Sequence, residues 1–322
     1  MQSTLTEFVQ LLGSRLVSVC AKYAPWVVYD KYEGPLCGGF QRGTLWEQNE
    51  EITFSFKSHS GTKNQREKTQ VLMEELFMYT NLTIVWVDDD RGVVRISFND
   101  YLGSVSEVGT RCRKVRDIQV ATTNLQDIAP YTQDPNDAEA HTILHECGHI
   151  SGLIHEHQVP ERPQYFNFIE EEVQEEYRLK MTTQEIHRNI TMVLHPQDLE
   201  NCSRYDCLSV MGYVHLVSLA LAVPSHHLVY LTRYPIPPSL TFEGKGTRLI
   251  SRLSDVDKAV LTLNYARRKP HPKAPDWTIS HAADVLGITG ELREKIVPAE
   301  DARDIRRYYT KWSKEQMETP RS

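Results

Sequence analysis

The chain has 322 residues, 40% of them hydrophobic and 25% charged, and carries a net charge of −7. That length holds one large core or two modest domains, and the mild charge with scattered Lys and Arg gives no footprint for a nucleic-acid partner. No run of about 18 apolar residues offers a membrane span; the nearest approach, Val214 to Val223, stops at Pro224.

Residues 1–40 form a weakly patterned lead-in ending at Gly38-Gly39. It lacks a basic stretch followed by a continuous apolar run, so no signal peptide is expected. Glu51 to Phe56 (EITFSF) alternates and is rich in β-branched and aromatic residues, which predicts a strand. Asn64 to Thr80 places Val71, Leu72, Leu76 and Tyr79 at helical spacing. Leu82 to Val87 and Val93 to Phe98 read as strands separated by an acidic turn, Asp88-Asp89-Asp90. Gly103 to Gly109 (GSVSEVG) is a short polar edge strand, and Ile118 to Thr122 a further strand. This order implies a mixed α/β sheet backed by helices.

Asp137 to Leu153 reads as a helix with Asp137 as its N-cap and Glu139 early. Inside it stands His145-Glu146-Cys147-Gly148-His149. Histidines four apart on a helix project from one face and can share a metal ion, and Glu146 sits where a carboxylate can take a proton from a water at that metal. Gly152 lets the helix stop and turn sharply, which brings His155 back toward the same point. Three neutral imidazoles leave a fourth position open, as in catalytic rather than structural zinc. The full pattern H-E-x-x-H-x-x-G-x-x-H fixes five positions, with a chance expectation of roughly one in ten thousand, so accident is a poor explanation. His141 could share the face of His145. His157 is out of register and is expected to face solvent or to pack behind the ligands.

The segment His145 to His155 is the signature of the metzincins, and Glu156 directly after it resembles the astacin branch. Ser209-Val210-Met211-Gly212-Tyr213 is similar to that branch's methionine turn, S-x-M-x-Y. The resemblance runs from about Leu45-Trp46 to Tyr265. It implies a metzincin-type fold, a twisted mixed sheet with a backing helix and an active-site helix and a zinc cleft between N- and C-terminal subdomains. It implies one zinc ion on His145, His149 and His155, Met211 as the floor of the site, and Tyr213 as a residue approaching the zinc and donating to the oxyanion. By the same resemblance the setting is extracellular.

The sequence departs from that branch in several places. Arg162 stands one residue later than the usual arginine after the third histidine, and no D-R-D follows. Gly212 replaces the usual histidine after the methionine. Relatives tend to read S-x-M-x-Y-P-I-P without a break, whereas here Tyr234-Pro235-Ile236-Pro237 comes only after VHLVSLALAVPSHHLVYLTR. Residues 213–233 therefore read either as a true apolar loop or as a retained intron, with Tyr234 as the second candidate tyrosine.

Asp255 to Tyr265 reads as a helix. Arg267 to Pro275 is Pro- and Lys-rich and reads as a linker, followed by helices at Thr278 to Leu286 and Pro298 to Trp312. The expected organisation is a lead-in at 1–40, a catalytic domain at 41–266, and a linker with a small helical tail at 267–322. Six cysteines (Cys20, Cys37, Cys112, Cys147, Cys202, Cys207) contain no C-x-x-C pair, and Cys202 with Cys207 could close a small loop. N-x-S/T sequons at Asn81, Asn189 and Asn201 matter only in a secreted protein.

The function these readings predict is a zinc-dependent endopeptidase with Glu146 as general base, acting on an extended polypeptide that pairs with the edge at 103–109. The alternative is a metzincin-like module that binds zinc without cutting. Glu146 is the feature that separates the two.

Overall fold

The computed structural model describes residues 39–100, 103–160, 168, 170–178, 182–203, 205–206, 208–212 and 250–318. Its main sheet has five strands. β2 (Glu51–Phe56) is central, with β3 (Thr83–Trp86) and β4 (Val94–Ser97) parallel to it on either side. β6 (Thr123–Asn124) continues in parallel beyond β4, and β5 (Val105–Ser106) closes that edge antiparallel to β6. A short ribbon pairs β1 (Gly39–Gln41) with β7 (Leu199–Cys202). The expected edge strand at 103–109 is thus present as two residues and does lie at the edge.

α1 (Lys63–Phe77) starts at Thr62, whose hydroxyl and Gln65 form a reciprocal capping box, and buries Leu72, Met73, Leu76 and Phe77. α2 (Asp137–Ser151) packs against α1. Its N-cap is Asn136 rather than Asp137: the Asn136 side chain accepts from the N–H groups of Ala138 and Glu139, and Glu139 reaches back to the Asn136 N–H. Glu139 also meets Lys68 of α1 at 2.8 Å, a fully buried ion pair.

The strand expected at 118–122 is not formed, and pairing begins only at Thr123. The buried guanidinium of Arg95 supplies the reason. It donates to the carbonyls of Val115 at 2.8 Å and Val120 at 2.9 Å, so the chain wraps around a cation instead of extending. β7, α3 (Glu170–Tyr177) and α4 (Thr183–Ile186, continued by one π turn at His187–Thr191) had no clear signal in the sequence.

α5 (Asp255–Asn264) follows the expected range. α6 (Ile279–Val285) is capped by Thr278, α7 (Gly290–Ile296) was not expected, and α8 (Ala302–Glu318) begins later than predicted. Asp301 sets that start, its carboxylate accepting from the Arg303 N–H at 2.8 Å. α8 lies against β7 and α5. Ile305, Tyr309 and Trp312 join the same apolar core as Trp46, Phe54 and Ile143. Arg306 donates to the carbonyls of Asn264 and Trp46, and the Ser313 hydroxyl pairs with the backbone of Cys202.

Two of the three sequons are closed to sugar. Asn81 and Asn201 are buried, their amides bonded to Gln48 and Ala266 and to Asn264 and Thr310 respectively. Cys112 and Cys147 are buried thiols. Cys20, Cys37 and Cys207 lie outside the described residues, as do most of the lead-in, Arg162, Tyr213, Tyr234 and the segment 213–233. No helix among the described residues is long and apolar enough to cross a membrane.

Candidate active site

α2 ends at Gly152, whose φ of 106° is a left-handed conformation that an L side chain resists. The Gly152 and Leu153 N–H groups return to the His149 and Gly148 carbonyls at 2.8 and 2.9 Å, and the chain reverses under the helix. Two buried aromatic residues fix the last turn from behind. Trp46 Nε1 donates to the Ile150 carbonyl at 2.7 Å, and the Tyr265 hydroxyl donates to the Ser151 carbonyl at 2.6 Å.

This reversal gathers His145, His149 and His155, whose ligand atoms all lie within 4.8 Å of one another. The rings are buried. Nδ1 of His145 donates to the Val210 carbonyl and Nδ1 of His149 to the Leu153 carbonyl, each at 2.9 Å. Each bond leaves Nε2 as the lone-pair atom. Nε2 of His149 and Nε2 of His155 face each other at 3.2 Å. Zinc–nitrogen bonds of about 2.0–2.1 Å in a tetrahedron separate the nitrogens by about 3.3 Å, so the spacing fits one shared ion. Burial, reinforced for His145 and His155 by the neighbouring imidazoles, pulls all three below the ordinary imidazole range, His149 down to about 4. They are therefore neutral, as ligands must be, at any pH near 7. The cluster is able to bind one metal ion. Glu146, next to His145 on α2, is fully buried.

Below α2 lies the turn Ser209-Val210-Met211. The Met211 sulfur sits so close to Gly148 that a Cβ there would come within 2.3 Å of it. A side chain at that position would have to displace the Met211 thioether, although the zinc pattern leaves the position free. The Met211 carbonyl accepts from the Glu156 N–H at 3.0 Å, and the Glu156 carboxylate accepts from the Asp206 N–H at 2.6 Å. Tyr213, the expected oxyanion donor, lies outside the described residues.

His157 does not face solvent. It is buried, stacked on His155 with ring centres 5.2 Å apart, and its Nε2 lies 3.0 Å from the Asn189 carbonyl on the π turn. His141 does share the face of His145, with ring centres 5.5 Å apart, and its Nδ1 lies 2.8 Å from the Ile250 carbonyl. Sequence reasoning missed Asp257 of α5, which accepts from the Ser209 hydroxyl at 2.6 Å and the Val210 N–H at 2.9 Å. Only its place in a helix start, three residues after Ser254, could have drawn attention to it.

A mixed sheet, a glycine-terminated helix carrying two histidines, a third histidine after the reversal and a methionine packed against Gly148 of that helix define a metzincin-type zinc metalloendopeptidase. The model of the astacin peptidase family matches residues 40–218, and the chain belongs to that family. A structure of myroilysin is similar to this chain with a TM-score of 0.59 and 23% identity, covering 71% of this chain and 98% of myroilysin. A crystal structure of myroilysin gives 0.50 and 21%, covering 77% and 99%. Both likenesses are likenesses of fold. A search of curated proteins returned no match.

Proposed function

We propose that this peptidase hydrolyses internal peptide bonds with His145, His149 and His155 holding one zinc ion and Glu146 acting as general base. The observation that carries the reading is the convergence of three neutral imidazoles, two of them fixed in tautomer by backbone carbonyls, beside a buried carboxylate on the same helix. When bound, zinc supplies Lewis acidity, polarising a carbonyl oxygen and lowering the pKa of a water. The Glu146 carboxylate takes a proton from the attacking water. The water oxygen bonds to the scissile carbon, and the same proton passes from Glu146 to the departing amine nitrogen as the C–N bond breaks.

Substrate lies extended and adds to the sheet at β5, whose outer side faces no other strand among the described residues. Tyr213 stabilises the developing oxyanion by resemblance to the family pattern, and Met211 supports α2 from below. Glu146→Gln tests the central role. A zinc-loaded variant should lose about 10²–10⁴-fold in turnover, while chelation should abolish wild-type cleavage and added zinc restore it. A zinc-loaded Glu146→Gln protein that cleaves at the wild-type rate removes Glu146 from the mechanism. Chelator-resistant cleavage removes the metal.

A further inference from the structure

Asp257 does more than start a helix. As the third residue of α5 it forms a reciprocal box with Ser254: the Ser254 hydroxyl accepts from the Asp257 N–H at 2.9 Å, and Asp257 Oδ2 accepts from the Ser254 N–H at 3.0 Å. An exposed Glu or Gln would serve that purpose. Asp257 is instead only 4% exposed. It takes two further donors from a distant part of the chain, the Ser209 hydroxyl on Oδ1 and the Val210 N–H on Oδ2. Burial and the nearby Asp206 carboxylate both raise its pKa, so this placement is electrostatically unfavourable and the donors offset it.

The grip extends to the metal ligands through two carbonyls. The Ser209 hydroxyl oxygen accepts from the Met211 N–H at 3.0 Å, which fixes the turn as a unit. The Val210 carbonyl then accepts from Nδ1 of His145, and the Met211 carbonyl accepts from the N–H of Glu156, the residue next to His155. His149 is oriented separately, by the Leu153 carbonyl at the end of its own helix.

We infer that Asp257 is a positioning residue for the metal centre: by clamping the Ser209–Met211 turn it aims His145 and holds the chain that carries His155. The inference rests on the proposed three-histidine zinc site. Asp257→Asn keeps the shape but turns one acceptor oxygen into a donor, so the turn loses part of its anchor. Loss of the outer partner that orients a ligating imidazole, here the Val210 carbonyl on the turn that Asp257 clamps, costs about 10–100-fold in metal affinity.

The experiment measures zinc affinity of the full chain by competition with a chromophoric chelator, for wild type, Asp257→Asn and Ser254→Ala. Asp257→Asn should bind zinc about 10–100-fold more weakly, and at saturating zinc its kcat should fall with little change in KM. Ser254→Ala breaks the same helix cap without touching the turn, so it should lower Tm and leave zinc affinity unchanged. Equal loss of affinity in both variants would reduce Asp257 to a helix cap, and wild-type affinity in Asp257→Asn would overturn the inference outright. If Asp257→Asn does not fold, Ser209→Ala decides. It removes the hydroxyl between Asp257 and the Met211 N–H, and unchanged affinity in that variant overturns the clamp. A wild-type chain that takes up no zinc would overturn the metal site itself, a failure visible before any variant is compared.

Discussion

The sulfur of Met211 occupies the space that any side chain on Gly148 would need, with only 2.3 Å between it and a Cβ built on that glycine. Met211 and the middle of the helix that carries His145 and His149 are thus fitted to each other. Gly148→Ala gains about 1 kcal/mol in helix propensity but forces a buried contact whose cost is about 1–3 kcal/mol. The expected result is a net loss of stability, read by urea denaturation, together with weaker zinc binding. A variant as stable as wild type would show that the Met211 turn slides aside freely.

The start of α2 depends on a buried ion pair. Lys68 is flanked by Glu139, the Ala129 carbonyl and the Thr132 hydroxyl. Lys68→Met leaves the Glu139 carboxylate buried without its counter-charge, and removal of one partner of such a pair costs about 3–5 kcal/mol. Chemical denaturation at pH 7 should show a loss of that size, and a loss below about 1 kcal/mol would mean that water replaces the ammonium.

The same pair sets a pH dependence. Burial raises the Glu139 carboxyl, but Lys68 and the N–H groups of Asn136 and Ala129 outweigh it and hold its pKa below the ordinary value of 4.5. The folded state therefore binds this proton less readily than the unfolded chain. Its stabilisation is complete above the unfolded pKa and fades as pH falls from about 4.5 through the folded pKa. Stability measured from pH 7 to pH 3 should fall less steeply in Glu139→Gln than in wild type over that acid range. Parallel curves would place the acid sensitivity elsewhere.

The helices after residue 267 share the core of the catalytic fold. Arg306 lies over the Tyr265 ring at 5.0 Å, and the Tyr265 hydroxyl in turn holds the Ser151 carbonyl at the end of α2. Truncation after Glu300 removes Ile305, Tyr309 and Trp312 and should give an insoluble or unfolded chain. Limited proteolysis and circular dichroism on the truncated form provide the measurement. A soluble, active product would make α8 an accessory.

Residues 213–233 interrupt a pattern that otherwise reads S-x-M-x-Y-P, and the family match ends at residue 218, inside that segment. Deleting the segment joins Gly212 to Tyr234-Pro235. The shortened chain should be at least as soluble and as active as the full one, because a long apolar insertion in the sequence is an aggregation hazard. Transcript sequencing across Gly212 to Tyr234 gives a direct reading. Only unspliced message, together with a misfolding deletion variant, would make the segment a structural loop.

The three-histidine cluster was legible in the sequence because it is local. His145 and His149 are fixed by helical periodicity, and one glycine between them and His155 dictates the reversal. The long strands and helices, β2, β3, β4, α1, α2 and α5, were legible for the same reason: each carries its own periodicity. Tertiary structure alone decided what periodicity cannot encode. Arg95, a buried cation that needs carbonyl partners, turned an apparent strand at 118–122 into a wrapped loop. Stacking on His155 and a carbonyl from a π turn drew His157 inside. The clamp from Asp257 to Ser209 and Val210 joins residues 48 and 47 positions apart, and such a contact has no signature along the chain. Local sequence set the identity of the clustered histidines, and long-range packing set the hydrogen-bond partners around them.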